Sequence, residues 1–284
     1  MTHERDRHQA AGLRVLEGAP SVRIAPAGAG RGPRILAVTS GKGGVGKTQV
    51  AANLAVGFAL EGRRVLLLDA DLGLASLDLT LGLAPEADLL SALNGERTLE
   101  QVLCEGPSGV HLIPACPGRY DMANLDAAER GRLWTLVTDV ARPFDVLLID
   151  TGAGIGSNAV GFASYAHDVL LVATPDPASL RDGYAMVKVL HRRAGHDRVL
   201  LVANQVQGDR EGAAVHARMD GIVRRFLDVD LGYVGAIPRD DAVREAAASG
   251  CPFVLGAPDS RAGRAARHLA RRLARGTVPE EALC

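Results

Sequence analysis

Lysine is rare in this 284-residue chain, and two of its three lysines, Lys42 and Lys47, stand five residues apart in one glycine-rich loop, with Lys188 the third. The run Gly41-Lys42-Gly43-Gly44-Val45-Gly46-Lys47-Thr48 fits the pattern G-x-x-x-x-G-K-[ST] in full. It follows an aliphatic strand pattern and opens a helical one, the setting that the phosphate-loop motif requires. Glycines let the backbone curl so that successive N–H groups face one concavity, and an anion fits there. The first turn of the following helix adds the positive end of its dipole. Lys47 supplies a mobile charge for the β- and γ-phosphates, and the Thr48 hydroxyl is placed to ligate Mg²⁺. The phosphate site is thus expected to run from Gly41 to Gln49.

Carboxylates complete the candidate site. Val65–Asp69 is an aliphatic run that leaves two acids, Asp69 and Asp71, at its end. The two read either as members of the metal shell and switch or as loop carboxylates capping the next helix. Val146–Asp150 is a second aliphatic run ending in an acid, followed by the glycine-rich Thr151-Gly152-Ala153-Gly154. Paired with the phosphate loop, Asp150 is expected to hold Mg²⁺ through a water, and the turn after it to move when the γ-phosphate leaves. No N-K-x-D tetrad of the guanine-selecting kind is present, which favours ATP.

The run Ser40–Thr48, with its second lysine Lys42, resembles the deviant phosphate loop of the MinD/ParA family of dimerising ATPases. The likeness covers roughly residues 34–275 and implies a P-loop fold, a mostly parallel doubly wound sheet with helices on both faces. It implies that Lys42 crosses an ATP-sandwich homodimer to the partner's phosphates, where other NTPases use an arginine finger. By the same resemblance Asp71 orients the attacking water, Asn204 and the Pro238 region flank adenine, and Asp182 pairs with Lys42 when no dimer is formed. Ser76 stands where the family commonly has Asn. Asp69–Ala75, Asp150–Ile155 and Ile237–Asp240 are most similar to the flagellar-number regulators of the FlhG/FleN group. The segment His8–Arg14 is similar to that group's D-Q-A-x-x-L-R motif with His for Asp. That likeness implies contacts from Gln9, Leu13 and Arg14 to an SRP-type GTPase, and a further alternative is an ATP-gated binding module that sequesters a transcription regulator. A partition or division-site ATPase is the alternative that the wider family implies.

The elements that must position these residues follow from pattern. Besides Ile35–Thr39, Val65–Asp69 and Val146–Asp150, the runs Val110–Pro114, Val169–Thr174, Val199–Asn204 and Gly232–Ile237 are apolar at consecutive positions. Strands buried on both faces read this way. Amphipathic segments alternate with them, Gly46–Leu60, Ala127–Val140, Ser179–His191, Ala213–Phe226 and Asp240–Ser249 among others. Such alternation predicts a parallel α/β sheet covered on both sides. Residues 1–33 read as a partner-binding helix near Arg7–Leu16 and a Gly/Ala/Pro linker, residues 34–275 as the ATPase domain, and 276–284 as a short tail.

Composition narrows the class. With 47% apolar residues the chain is not disordered, and 32 Lys and Arg against 33 Asp and Glu leave no global field for nucleic acid. DNA is therefore disfavoured as a partner. Four cysteines without a C-x-x-C pair argue against zinc, an iron–sulfur cluster or a secreted disulfide framework. No run of about 18 apolar residues is present, and the first residues lack a signal-peptide core. The expected location is the cytoplasm. Arg261–Arg275, with six arginines and no acid, reads either as the last helix packed on the sheet or as a basic face for the inner membrane surface.

Overall fold

The computed structural model describes residues 32–116 and 118–275. Eight strands form one sheet: β1 (Arg34–Ser40), β2 (Val65–Ala70), β3 (Cys104–Glu105), β4 (His111–Ile113), β5 (Val146–Ala153), β6 (Asp168–Ala173), β7 (Val199–Val206) and β8 (Gly232–Pro238). Their order is β3-β4-β2-β5-β1-β6-β7-β8. All neighbours are parallel except the short β3, which runs antiparallel to β4 at the edge.

Strand residues alternate between two apolar layers. Ala37, Leu66, Leu68, Leu147 and Ile149 face one core, built with the helices Ala127–Ala141, Ser157–Ser164, Pro177–Ala194 and Asp209–Leu227. Leu36, Val38, Val65, Leu67 and Leu148 face the other, covered by the helices Lys47–Leu60 and Arg261–Ala274. Because both faces are buried, both parities must be apolar, which explains the unbroken aliphatic runs.

Two strand ends differ from the sequence reading for physical reasons, and one alternative that the reading left open is decided. Strand β5 does not stop at Asp150 but continues to Ala153, because Thr151 Oγ1 donates to the Val38 carbonyl at 3.2 Å and Ser40 pairs with Ala153. Asn204 likewise lies inside β7, two residues before its end. The arginine-rich C-terminal helix is packed on the domain, with Ala262, Ala266, Leu269, Ala270 and Leu273 buried. That apolar stripe is therefore not available to a membrane. The small-residue spacing of the stripe is what lets this helix lie close against the Lys47–Leu60 helix. Among the described residues no helix is long and apolar enough to cross a membrane.

Two ion pairs that share Asp168 tie the bottom of the sheet together. Asp168, 3% exposed at the start of β6, accepts from Arg34 Nη2 at 2.8 Å and from Arg198 Nε at 2.7 Å. Burial pushes its carboxyl up, but the two guanidinium hydrogen bonds outweigh burial and hold it below the usual carboxylate range. A depressed folded-state value contributes stability above the unfolded pKa of about 3.9 and loses it as pH falls through the folded value. Asp168→Asn is expected to cost about 1–3 kcal/mol at neutral pH, the range for hydrogen bonds to charged groups. The gap to the native chain should close below about pH 4. Urea melts of both proteins across pH 3–7 check this, and a gap that does not change with pH contradicts it.

Candidate functional site

The loop between β1 and the Lys47–Leu60 helix lies where the strand order reverses: β1 has β5 on one side and β6 on the other. In open α/β sheets such a reversal leaves a crevice at the carboxyl ends of the strands. Two glycines are required there on different grounds. A Cβ on Gly41 would stand 2.0 Å from the backbone of Asp182, so only glycine permits this approach. Gly46 has φ 87°, in the left-handed region, and forms the N-cap of the helix without any side-chain cap. The first N–H groups of that helix are thus left for a ligand, and no acid occupies its first turn.

Under the loop, Lys47 Nζ donates to Asp150 Oδ1 at 2.7 Å, and both side chains are buried (7% and 1% exposed). Thr48 Oγ1 lies 3.4 Å from the same ammonium. Burial raises the Asp150 carboxyl above its ordinary value, with the negative Asp71 adding to the rise and Lys47 and Thr48 opposing it. Asp150 Oδ2 is buried without a hydrogen-bond partner. An orphaned carboxylate oxygen beside a threonine hydroxyl is the donor set that Mg²⁺ or its water shell satisfies. The residues present therefore fit the metal that the fold family implies.

The two acids at the end of β2, Asp69 within the strand and Asp71 just past it, have separate tasks. Asp69, 2% exposed, accepts from the backbone N–H groups of Asp71, Ser76 and Leu77 at 3.1–3.2 Å. It thus fastens the loop and caps the helix Leu77–Leu81 from outside. Burial, with the Asp150 charge adding to it, pushes its carboxyl up to about 7. Asp71 is half-buried and turned toward the turn after Asp150: a Cβ on Gly152 would lie 3.6 Å from Asp71 Oδ1. Asp71 is therefore the acid of the pair that lies against the end of β5 beyond Asp150.

Lys42 points the other way, to the rim. Its Nζ is 2.7 Å from Asp176 Oδ2, with the two side chains 43% and 46% exposed. Asp182, the partner that the family resemblance implied, instead pairs with Arg181 at 2.9 Å. The reason is local: Gly41 packs on the backbone at Asp182, which leaves that carboxylate beside Arg181, whereas Asp176 caps the start of the same helix and stands at the rim. Two clefts adjoin the loop. One, of about 380 Å³, is lined by Lys42, Gly43, Gly44, Asp176 and Arg239 among others. The second, of about 410 Å³, is lined by Gly46, Gln49, Asn204, Pro238, Arg239 and Arg244 among others. The amide nitrogen of Asn204 donates to the Val45 carbonyl at 2.8 Å.

Gly41–Gln49, Asp71, Asp150, Asn204 and Pro238 are thus brought to one end of the sheet. Gln9, Leu13 and Arg14 lie outside the described residues, as do the Arg7–Leu16 segment and the tail 276–284. Sequence reasoning missed Asp176. Its helix-start signature, an Asp directly before Pro177, was visible, but its pairing with a lysine 134 residues away was not. It also missed Gln205, whose side chain faces both clefts. The one signal there is its neighbour Asn204.

Comparison with known proteins comes to the same region. The profile of the family described as the CobQ/CobB/MinD/ParA nucleotide-binding domain matches residues 36–253. The chain is 42% identical over 246 residues to the antiactivator FleN of Pseudomonas aeruginosa, covering 87% of this chain and 88% of that one. It is 35% identical over 212 residues to the flagellum site-determining protein YlxH of Helicobacter pylori, covering 74% and 71%. Among solved structures, the cell division ATPase MinD of Pyrococcus furiosus superposes with a TM-score of 0.72 at 30% identity, covering 86% of this chain and 99% of that one.

Proposed function

We propose that this chain, which belongs to the CobQ/CobB/MinD/ParA nucleotide-binding family, is an ATP-dependent dimerising switch ATPase that controls flagellar placement or number. The observation that carries the reading is the division of labour between the two loop lysines. Lys47 is sealed against Asp150 beneath the phosphate nest, while Lys42 stands at the exposed rim, held only by Asp176. A cation at the rim is of little use to phosphates in its own subunit and well placed for those of a second copy.

In this mechanism the phosphates lie on the N–H groups of the loop and of the first helical turn. Lys47 exchanges Asp150 for the β- and γ-phosphates, and Mg²⁺ would be held by the Thr48 hydroxyl and, through a water, by the released Asp150 carboxylate. The metal, when bound, neutralises phosphate charge. Adenine occupies the cleft bounded by Gln49, Asn204 and Pro238. Asp71 accepts a hydrogen bond from the attacking water and orients it. Lys42 of each subunit reaches the phosphates of the other, so the dimer persists only while ATP is intact. Slow, partner-stimulated hydrolysis to ADP and phosphate then serves as a timer.

The flagellar assignment is supported by the likeness to FleN and YlxH, and the name antiactivator supports a transcription regulator as partner. The segment around Gln9, Leu13 and Arg14 would add an SRP-type GTPase. The expected location is the cytoplasm, with any stay at the inner face of the membrane brought about by partners. The likeness to a cell division ATPase supports a second reading, a division-site or partition ATPase. ATP-dependent sedimentation with liposomes or DNA would favour that second reading.

The test is a separation of steps. Asp71→Ala is expected to lower ATP turnover by about 10²–10⁴-fold, the usual weight of a positioned carboxylate that accepts from the attacking water. ATP affinity and ATP-driven dimerisation should stay within about threefold, less than one weak hydrogen bond. Phosphate release and light scattering measure the two, and native turnover in the variant would remove Asp71 from the mechanism.

A further inference from the structure

Two side-chain amides at the end of β7 reach across to the phosphate loop. Asn204 Nδ2 donates to the Val45 carbonyl at 2.8 Å, and Gln205 Nε2 donates to the Gly44 carbonyl at 3.4 Å. These are contacts between residues 159 and 161 positions apart, so neither is a by-product of helix or strand pairing. A carbonyl only accepts, which fixes the nitrogen end of each amide toward the loop. Asn204 is 7% exposed, and a Cβ on Gly46 would stand 2.5 Å from its amide nitrogen. Gln205 has φ 57°, the left-handed region, which a residue with a side chain holds only where its surroundings impose it.

The consequence follows from peptide geometry. In a planar trans peptide the carbonyl of one residue and the N–H of the next point in opposite directions. Holding the Gly44 and Val45 carbonyls on the β7 side turns the N–H groups of Val45 and Gly46 to the opposite side. With the loop read as a phosphate nest, those N–H groups are the ones that would line it. Glycine-rich backbone is soft, so without these two donors the same N–H groups would sample many directions.

We infer that Asn204, with Gln205 as a second support, is a positioning residue that preorganises the phosphate nest by holding its carbonyls outward. The inference rests on the reading of this loop as an ATP phosphate site. It assigns the Asn204 amide nitrogen to the loop and not to the base.

The experiment uses full-length protein and two probes, ATP and inorganic tripolyphosphate, which has no base and reports the nest alone. Asn204→Ala is expected to weaken both probes by about tenfold, the weight of one hydrogen bond and the order it maintains. Asn204→Asp, which sets a carboxylate oxygen against the Val45 carbonyl, should weaken both further. In the ligand-free state, hydrogen exchange at residues 43–46 should accelerate in both variants while the thermal midpoint moves little. A general folding defect would instead move the midpoint and the exchange of the whole domain. Gln205→Ala, at a position outside the core, gives the same pattern with a smaller loss and keeps the test alive if an Asn204 variant does not fold. The inference is overturned if tripolyphosphate binding is unchanged, whether ATP binding falls, as for a base-reading asparagine, or stays. A native chain that binds neither probe overturns the nucleotide reading itself, which is a separate outcome.

Discussion

Lys47→Ala is expected to lose ATP binding by at least about a hundredfold, the equivalent of one or two charge-assisted hydrogen bonds to phosphate. It should also lose stability, because the two effects share one atom. Lys47 Nζ is the buried cation beside Asp150, and removing it leaves a carboxylate that is 1% exposed with no charge partner. Breaking a buried pair from one side costs about 3–5 kcal/mol. Burial already raises the Asp150 carboxyl, and without the ammonium it rises further. A carboxyl raised in the folded state loses stability as pH climbs from the unfolded value of about 3.9 toward the folded one. The gap between variant and native chain should therefore widen as pH rises above about 4, the same direction as the Asp168→Asn gap, but here because the variant loses stability that the native chain keeps.

Lys47→Arg keeps the charge and is expected to fail as well. A slim ammonium passes beneath the loop, where a planar guanidinium would collide with the glycine backbone. Lys188→Arg is the control, on an exposed helix face, and should change stability by no more than about 0.5 kcal/mol. Nucleotide titration and thermal melts across pH decide the matter. A Lys47→Arg chain that binds ATP within a fewfold of native would sink the steric argument and reduce the scarcity of lysine to codon drift.

Lys42→Ala should give the converse result. Within one subunit this lysine only touches Asp176, so ATP affinity of the single chain is expected to stay within about threefold. The ATP-driven dimer, by contrast, loses a charge-assisted contact to phosphate from each side and should weaken by about a hundredfold or more. The magnitude of the rim pair decides how the switch works. Both side chains are nearly half exposed, and such a pair contributes about 0.2–1 kcal/mol. It parks the lysine without holding it against a phosphate. Asp176→Asn should accordingly move the dimerisation constant by less than about fivefold. Light scattering with ATP and with ADP tests both variants. A Lys42→Ala chain that dimerises as the native one does would remove Lys42 from the interface.

The phosphate loop, Asp150 and the seven longer strands were legible in the sequence because each is a local pattern. A nest needs glycines at fixed spacing, and a strand buried twice needs an unbroken aliphatic run. The loop after β2 was half legible. Two acids at a strand end were plain, but which of them fastens the loop depends on backbone N–H groups that the chain presents at Ser76 and Leu77. The C-terminal helix left two readings open in the sequence, packed on the sheet or basic face for a membrane, and the buried stripe of Ala and Leu decides for the first.

By itself, then, the sequence determined the phosphate chemistry, the sheet class and the presence of a second loop lysine. Each of these is set by residue type at short separation, where sterics and periodicity act directly. Tertiary structure alone decided that Lys42 rests on Asp176 and not Asp182, and that Asp69 fastens the loop while Asp71 lies against the end of β5. It alone turned the Asn204 amide toward the loop. Those outcomes join residues up to 159 apart, and their direction is settled by which backbone groups the folded sheet brings within hydrogen-bond distance.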